Sequence, residues 1–563
     1  MHYEFTHQQR IAYFTMEIAL KSDIPTYSGG LGILAGDVMR ASADIQLPLV
    51  AVSLVSRAGY FRQEIREGRQ IEHPDLWDPA KWAFPLDAKI AVNIEGREVW
   101  VRGWLYVLTG HLGGKEPVIL LDTDLDENRP EDREITHYLY GGDQVYRLKQ
   151  EIVLGIGGLR MLHALGFQIR QYHMNEGHSA LLALELLRRF ARQENEDENL
   201  LSYDIPMVRS VCNFTTHTPI EAGHDQFPYE LVQNILRDFI DFSELKAVAG
   251  EERLNMTKLA LNLSDYVNGV AMKHAEISRQ MYPGYHVHAV TNGVHPYTWT
   301  SDSFASLYDH HLPGWCYEPQ LLVRVDQIPD EAIWKAHRAS KLALIERIKA
   351  LSGKDFSVEI PLIGFARRMT AYKRPDLIFS DLERIRAIAR NRPFQIVMAG
   401  KAHPNDEGGK QLIAMLNAHL ESLSDTLNTA FLPNYDMDLA LSLVSGVDIW
   451  LNTPLRPMEA SGTSGMKAAF NGVPSLSVLD GWWIEGCIEG VTGWAIGNAT
   501  GTNDGDTRAL YDKLEQVVLP LFYDNQHARD GWIRVMQGAI SKNSSYFNSH
   551  RMMRRYAAEA YIR

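Results

Sequence analysis

The order of apolar and polar positions predicts a chain in which buried strands alternate with amphipathic helices. Short, continuous apolar runs suited to buried strands begin at Ile11, Leu47, Val358, Phe394 and Val447. Helical periodicity begins at Ser179 and at Leu342, and Gly353 ends the second of these helices. Strands and helices that alternate in this way form parallel sheets joined by right-handed crossovers. We therefore predict an α/β fold.

The length of the chain predicts more than one domain. At 563 residues it exceeds what one hydrophobic core usually serves, so we expect two domains. The boundary is expected in the turn-rich residues 295–320, which gives domains at 1–300 and 301–535. Residues 536–563 are expected to end in a helix that packs back on the first domain, with Met552, Tyr556 and Ala560 along its apolar stripe.

Composition narrows the class of partner and the compartment. The formal net charge of −14 argues against nucleic acid or an anionic membrane as the main partner. The three cysteines show no metal-binding spacing and cannot all pair, which is typical of a reducing compartment. We find no signal peptide and no apolar run near 18 residues, so we expect a cytoplasmic protein. His217 and His224 lack the spacing of a zinc site, and we expect no metal.

Candidate chemistry centres on Lys467, in the stretch 456–480. The residues just before this lysine are small, and a backbone with small side chains can approach a ligand closely. Thr463 or Ser464 is predicted to cap the following helix and to leave N–H groups directed at an anion. An amine beside an anion site suits an aldehyde cofactor that carries a phosphate. The alternative is an ordinary turn before a helix whose lysine is solvated.

Two further segments predict anion sites. Gly29, Gly30 and Gly32 precede a helix expected to begin near Leu34, and successive backbone N–H groups before a helix can form an anion nest. Directly after a predicted strand lie four cations, Arg367, Arg368, Lys373 and Arg374. Parallel-sheet enzymes bind ligand groups at the carboxyl ends of their strands, so these cations suit phosphate. The alternatives are a plain turn and a solvated basic face.

Polar residues in the first half of the chain complete the set of candidates. Asn175, Glu176 and His178 stand just before a predicted helix, and His217 follows an apolar run. Asn292 lies in a turn. Histidines in such loops are more often structural than catalytic, and that alternative stays open at this stage.

The ordered motifs resemble those of the α-glucan phosphorylases, the glycogen, starch and maltodextrin phosphorylase family. The matching segments, in chain order, are YSGGLG, YRLKQE, NEGH, FTTHT, TNGVHPYTW, ARRMTAYKR, GKAHP, NYDMDLA and EASGTSGMK. The resemblance implies the glycosyltransferase-B arrangement, in which two Rossmann-like domains with parallel sheets face a deep catalytic cleft. Because the first strand begins near Ile11, we expect a short, divergent form without the N-terminal regulatory extension of longer relatives.

The resemblance also implies an activity and its reagents. It implies a glycosyltransferase that reversibly phosphorolyses the non-reducing end of an α-1,4-glucan with orthophosphate, giving α-D-glucose 1-phosphate with retained configuration. The implied cofactor is pyridoxal 5'-phosphate, bound as a covalent imine on Lys467. A homodimer is possible by the same resemblance, and no membrane or nucleic-acid partner is implied.

Residue roles follow from the same resemblance. The implied cofactor-binding residues are Lys467, Thr463, Ser464, Gly30, Tyr435, Trp299 and Arg367. The implied catalytic residues are Lys467, Arg368, Lys373 and His217, together with Arg367, which takes the place of a family lysine. The implied substrate-binding residues are Glu459, Ala460, Ser461, Gly462, Asn292, His178, Glu176, Leu31, Gly29 and Tyr372.

Two rival functions remain at this stage. A glucan-synthase-type glucosyltransferase that uses a sugar nucleotide shares the fold, but such enzymes carry a second carboxylate that is separated from the first by seven residues. Here that position, counted from Glu459, is Lys467. A non-catalytic glucan-binding protein would have no need for this lysine.

Overall fold

Two β-sheets organise the chain, one in each half. The computed structural model describes residues 5–191, 203–498, 505–524 and 530–562. The nine strands of the first sheet are β1 (Ile11–Thr15), β2 (Leu49–Leu54), β5 (Phe84–Ile94), β6 (Arg97–Thr109), β7 (Lys115–Asp122), β8 (Gln171–Asn175), β9 (Cys212–Thr215), β12 (Tyr266–Gly269) and β13 (His288–Ala289). The hairpins β3 (Arg62–Arg66) with β4 (Arg69–His73) and β10 (Gln226–Pro228) with β11 (Arg253–Asn255) stand apart.

The first sheet is parallel over most of its width and antiparallel at one edge. Its strand order is β13-β12-β9-β8-β1-β2-β7-β6-β5. All neighbours from β13 to β7 are parallel, whereas β6 pairs antiparallel with both β5 and β7. The expectation of parallel sheets was therefore incomplete at this edge.

The second sheet is entirely parallel. Its strands are β14 (Leu362–Ala366), β15 (Gln395–Ala399), β16 (Thr429–Leu432), β17 (Ile449–Asn452), β18 (Ser475–Val478) and β19 (Gly493–Ile496). They lie in the order β16-β15-β14-β17-β18-β19. Counted from β14 this is the order 3-2-1-4-5-6 of doubly wound Rossmann folds. The α/β class with parallel sheets is thus confirmed.

Helices pack on both sheets. They are α1 (Gly30–Asp44), α2 (Pro130–Arg133), α3 (Gln144–Ile152), α4 (Gly158–Ala164), α5 (Leu181–Arg189), α6 (Ile205–Val211), α7 (Tyr229–Leu236), α8 (Phe242–Ala249), α9 (Met256–Asn262), α10 (Met272–Met281), α11 (Asp302–His311), α12 (Asp330–Ser352), α13 (Leu382–Asn391), α14 (Glu407–Ser422), α15 (Met437–Gly446), α16 (Ser464–Ala469), α17 (Trp483–Gly486), α18 (Asp506–Lys513), α19 (Leu519–Phe522), α20 (Asp530–Gly538) and α21 (Ser549–Tyr556). Within the described ranges, neighbouring helices are extended by four π-helical segments, Val153–Gly157, Leu514–Val518, Ala539–Ser544 and Ala557–Tyr561. Among the described residues, no helix is both long and apolar enough to cross a membrane.

Short 3₁₀ turns connect several elements. They span Pro79–Lys81, Glu134–Thr136, Gly177–Ser179, Glu221–Gly223, Arg237–Phe239, Pro319–Gln327, Ala371–Lys373 and Leu377–Phe379. Helix starts differ from expectation in two places. Helix α1 begins at Gly30 rather than near Leu34, and α12 begins at Asp330, before the predicted Leu342. As predicted, α12 ends at Gly353, which adopts a left-handed conformation.

The β3–β4 hairpin joins the two halves of the chain. The Gln63 amide donates to the Gly400 carbonyl at 2.8 Å, and the Gln70 amide donates to the Ala402 carbonyl at 2.9 Å. Both carbonyls lie just after β15. The hairpin therefore contacts the carboxyl edge of the second sheet through buried hydrogen bonds.

The end of the chain returns to the first sheet. Tyr561 lies 2.6 Å from Nδ1 of His173 on β8, and the Tyr556 hydroxyl accepts from the Asn268 amide on β12 at 2.9 Å. Met552, Tyr556 and Ala560 are buried. The terminal helix thus packs its apolar stripe against the first half of the chain.

Candidate active site

The candidate residues gather where the strand order of each sheet reverses. In the second sheet this switch point lies between β14 and β17, and in the first it lies between β1 and β8. Arg367 directly follows β14, and Glu176 directly follows β8. Open parallel sheets bind ligands outside the carboxyl ends of their strands at such points. The topology therefore explains why polar side chains distant in sequence meet here.

A buried cluster of charges occupies the switch point of the second sheet. Oε2 of Glu459 accepts from Nη2 of Arg367 at 2.8 Å and from Nζ of Lys373 at 2.5 Å. Burial alone would raise the pKa of Glu459, but the two cations lower it to about 2. Nη1 of Arg367 is buried and has no hydrogen-bond partner among the described residues. One N–H donor of the cluster is therefore available to a ligand.

Arg368 and Tyr372 lie beside this cluster. The Arg368 side chain is exposed, in contrast to Lys373, and the ammonium of Lys373 lies 4.6 Å from the centre of the Tyr372 ring. Burial raises the pKa of Tyr372, but Lys373 and Arg368 outweigh it and lower that pKa below its usual value. Three cations and one carboxylate leave two positive charges at this point, which suits a phosphate dianion.

Lys467 lies on α16, against an aromatic ring. Its side chain is buried, and its ammonium lies 3.9 Å from the centre of the Trp299 ring. Burial lowers the pKa of Lys467 to about 8, with Asp37 opposing and Arg40 assisting that change. The carboxylate of Asp37 accepts from the Trp299 indole N–H at 2.8 Å, which fixes the ring against the lysine.

Small residues surround the start of α16. Thr463 occupies the N-cap position but makes no capping hydrogen bond with its side chain, and Ser464 Oγ accepts from the Trp450 indole at 2.9 Å. Gly462 has a φ of +72°, a conformation that suits glycine. The Ser461 carbonyl accepts from the Trp482 N–H at 2.8 Å. Ala460 lies in the same loop, partly exposed.

The glycine loop lies at the start of α1. A Cβ added at Gly29 or Gly30 would meet nothing within 4 Å, so open space lies before the loop. At Gly32 a Cβ would lie 2.6 Å from the Glu17 carboxylate, which explains why only glycine fits there. Glu17 accepts from the backbone N–H groups of Ser28 at 2.6 Å and Gly29 at 3.1 Å. One of the predicted anion-nest donors is thus already bound by the protein's own carboxylate.

His217 and Glu176 meet at the carboxyl ends of β8 and β9. Glu176 accepts from the backbone N–H of His217 at 2.8 Å, and Nε2 of His217 lies 2.6 Å from the Asn175 side-chain oxygen. Glu176 has a φ of +72°, which a non-glycine residue adopts only when its surroundings enforce it. Burial lowers the pKa of His217 to about 4, so its ring is neutral near pH 7.

The remaining candidates lie around these groups. Nε2 of His178 lies 3.5 Å from Asp225, and burial lowers the pKa of His178. Asn292 is buried, and its side-chain oxygen has no partner among the described residues. Leu31 is partly exposed in the first turn of α1. Tyr435 is partly exposed, and burial raises its pKa while Arg367 opposes that change.

Sequence reasoning missed three acidic residues of this region: Glu17, Asp37 and Asp480. Asp480 accepts from the backbone N–H groups of Glu459 and Gly481, both at 2.9 Å. Burial raises the pKa of Asp480 to about 6. Asp37 carried one available signal, because it is an acid that directly follows the run of glycine and apolar residues 29–36.

Comparison with known proteins agrees with this geometry. The family model described as carbohydrate phosphorylase matches residues 17–102 and 238–495, more than half of the chain. A maltodextrin phosphorylase of Thermococcus litoralis is 38% identical, covering 98% of this chain and 70% of that protein. A glycogen phosphorylase of Aquifex aeolicus is 35% identical, covering 99% and 87% respectively.

An uncharacterized protein of Methanocaldococcus jannaschii is 30% identical, with 98% of this chain and 99% of that protein covered. The two chains therefore match over nearly the full length of each. The resemblance drawn from the sequence motifs is therefore confirmed. This chain belongs to the carbohydrate phosphorylase family.

Proposed function

We propose that the protein is an α-1,4-glucan phosphorylase that transfers the terminal glucosyl unit of a glucan to orthophosphate, giving α-D-glucose 1-phosphate. The observation that carries this proposal is a buried lysine of lowered pKa, Lys467, in the same half of the chain as a cation cluster at the switch point. Relatives named maltodextrin and glycogen phosphorylase support the same substrates.

The residues around Lys467 fit pyridoxal phosphate. A buried amine with a pKa of about 8 has a far larger neutral, nucleophilic fraction near pH 7 than an ordinary lysine. The Trp299 ring lies against it, and the space before Gly29 and Gly30 is free of side chains. In this role Lys467 holds the cofactor, Trp299 and Tyr435 line its ring, and Thr463, Ser464 and Gly30 surround its phosphate. When bound, pyridoxal phosphate supplies a phosphate with a second pKa of about 6, able to give and take a proton.

Substrate phosphate is assigned to the cation cluster. Exposed Arg368 and the free Nη1 of Arg367 are the donors that Glu459 does not already occupy. Lys373 adds charge while it stays paired with Glu459. Guanidinium donors bind phosphate oxygens in a bidentate manner, so Arg368 orients the phosphate while Lys373 contributes charge.

The sugar is assigned to the polar groups at the carboxyl ends of β8 and β9, to Asn292 and to the loop that begins at Glu459. Neutral His217 can hydrogen-bond a hydroxyl without adding charge, and Glu176 fixes its backbone. Asn292 offers an unpaired acceptor, and Glu459 with the loop 460–462 offers further donors and acceptors. Gly29, Leu31, Tyr372 and His178 are proposed to border the same subsite. Because phosphate attacks, the reaction needs no pair of glycosidase carboxylates.

The proposal is tested by phosphorolysis of maltodextrin with orthophosphate, measuring glucose 1-phosphate. We expect release by the wild type, loss in Lys467→Ala, and unchanged release in Lys335→Ala, which removes an exposed lysine of α12. A near-ultraviolet pyridoxal band that borohydride fixes should be present in the wild type and absent from Lys467→Ala. Protein without that band and without product after added pyridoxal phosphate would refute the proposal. Product from a sugar nucleotide instead would favour the glucan-synthase rival.

Several finer expectations stay predictions. Both maltodextrin and glycogen stay candidate substrates, since the relatives are named after one or the other. Cytoplasmic location and a homodimer also stay predictions. The three cysteines, which are all free, agree with a reducing compartment.

A further inference from the structure

A second cluster of polar groups lies at the other end of α1, away from the candidate active site. Asp44 ends this helix, His295 stands in the turn before Trp299, and His550 lies on α21. His295 and His550 are 251 and 506 residues from Asp44 along the chain, which is why no spacing in the sequence revealed them. All three side chains are buried.

The three groups direct their ligand atoms at one point. Nε2 of His295 lies 2.8 Å from Oδ2 of Asp44, and Nε2 of His550 lies 3.2 Å from the same oxygen. All three ligand atoms lie within 4.8 Å of one another. Around a tetrahedral Zn²⁺ such atoms lie about 3.4 Å apart. To admit the ion, the His295–Asp44 pair would separate by about 0.6 Å and the His550–Asp44 pair by about 0.2 Å.

The surroundings of the ligands agree with this geometry. Oδ1 of Asp44 accepts from the Leu112 N–H at 3.2 Å, which orients the carboxylate. Nδ1 of His295 lies 2.7 Å from the Thr298 hydroxyl, which can accept its proton in the way usual for ligating imidazoles. The Thr298 N–H also lies 3.2 Å from this nitrogen, a contact that metal binding would weaken. Nδ1 of His550 has no partner among the described residues, so the imidazole is oriented by its contact with Asp44 alone. A bound ion would fix the orientation of this ring.

A cavity borders the cluster on the side of Asp44 and His550. Its volume is about 560 Å³, and its lining includes Asp44, His550, Leu112, Glu318 and Arg554. A space of this size admits a hydrated ion and leaves water available as a further ligand. Two imidazoles and one carboxylate, with one open position for water, form a donor set that suits zinc.

We propose that Asp44, His295 and His550 bind one Zn²⁺, with water from the cavity as the fourth ligand. The ion ties together α1, the turn that carries Trp299, and the terminal helix. This zinc site goes beyond the proposed activity, because the site lies at the opposite end of α1 from the glycine loop. The role of the ion is to hold these three elements together. The alternative is a metal-free triad in which both histidines donate to Asp44.

The test is Zn²⁺ binding to the purified full chain in phosphate-free buffer, by calorimetry and chelator competition. We expect one ion per chain, and we expect His550→Gln to weaken binding by at least about 100-fold, since loss of even an outer partner costs about 10- to 100-fold. His310→Gln, which changes an exposed histidine next to His311, should leave binding unchanged. Thr298→Ala should weaken it by about 10- to 100-fold.

Co²⁺ in place of Zn²⁺ gives a readout that needs no variant. Intense visible bands indicate a four-coordinate site in the folded wild type, whereas weak bands indicate loosely held, hydrated cobalt. No zinc binding by the wild type, or binding that His310→Gln abolishes and His550→Gln retains, would overturn the proposal. If His550→Gln fails to fold, Thr298→Ala and the cobalt spectrum decide. None of these measurements depends on phosphorolysis.

Discussion

Raising the pH through about 8 should increase the reactivity of Lys467 steeply. In the folded protein, burial lowers the pKa of this lysine from the ordinary 10.5 to about 8. That difference corresponds to about 3 kcal/mol favouring the neutral amine. At pH 7 the neutral fraction rises from about 0.03% to about 10%, roughly 300-fold. The amine that attacks an aldehyde is the neutral form.

Asp37 provides a way to move this pKa. Its carboxylate lies near the ammonium and raises the pKa of Lys467, so Asp37→Asn should lower that pKa below 8. An asparagine oxygen can still accept from the Trp299 indole, which keeps the ring in place. Asp87→Asn, on an exposed position of β5, changes the net charge equally and should leave the pKa unchanged.

The assay follows the rate of pyridoxal phosphate attachment to cofactor-free protein by absorbance, across about pH 6 to about pH 10. Borohydride reduction and peptide mass spectrometry then verify that Lys467 is the residue modified. A rate that levels off above about pH 8 in the wild type, and at lower pH in Asp37→Asn, is expected. A midpoint near 10.5 in the wild type would refute the argument from burial. A midpoint that moves equally in Asp37→Asn and Asp87→Asn would refute the role of Asp37.

Three other predictions concern stability. Glu459→Gln should lower the free energy of unfolding at pH 7 by about 3 kcal/mol, because the two cations hold the pKa of this carboxylate near 2. In the wild type the contribution is complete above about pH 4.5 and is lost as the pH falls through 2. An unchanged denaturation midpoint at pH 7 would contradict this prediction. The pKa of Asp480 is raised to about 6, so the folded state holds its proton more tightly than the unfolded chain does. The free energy of unfolding should therefore fall by about 3 kcal/mol as the pH rises from about 4 to about 6, and Asp480→Asn should flatten that slope. Gly32→Ala places a Cβ 2.6 Å from Glu17 and should lower the free energy of unfolding, measured by thermal denaturation, by about 1–3 kcal/mol. Gly30→Ala places its Cβ in open space and should lower it by less, so equal losses would argue against the steric explanation.

The sequence predicted the central strands well because they are buried on both faces. Strands such as β14 and β15 read as continuous apolar runs, which are easy to recognise. Strands β5 and β6 were missed because they alternate buried and exposed positions. A search for continuous runs does not detect that pattern, although a period of two is the signature of a half-exposed antiparallel strand.

The start of α1 was predicted too late for a related reason. Glycine has low intrinsic helix propensity, so Gly30 and Gly32 read as a loop before the helix. In the structure both lie in the first turn, where the close approach of Glu17 and Tyr27 at Gly32 requires the absence of a side chain. Tertiary packing, which a propensity reading does not include, decides this boundary.

The polar partners of the site could not be predicted from spacing alone. Motif resemblance pointed to Lys467, Glu459 and Arg367 but gave no reason for their ionisation. Asp37 lies 262 residues before Trp299, and only the fold brings that pair to the lysine. The charge state of Lys467 is therefore a tertiary property, set by burial and by a carboxylate from the other half of the chain.

Helix α1 connects these observations, because Gly30, Asp37 and Asp44 recur every seven residues. Two helical turns separate successive members, about 10.5 Å along the axis, so the three lie on nearly one face. The first borders the glycine loop, the second holds Trp299 against Lys467, and the third meets His295 and His550. At Gly36 a Cβ would lie 2.2 Å from the Ala19 carbonyl, so the helix packs too closely to slide along its axis. The turn between His295 and Trp299 also joins the two places, since His295 contacts Asp44 and Trp299 contacts Lys467. We therefore expect zinc binding to shift the Lys467 rate profile, and an unaltered profile would contradict this coupling.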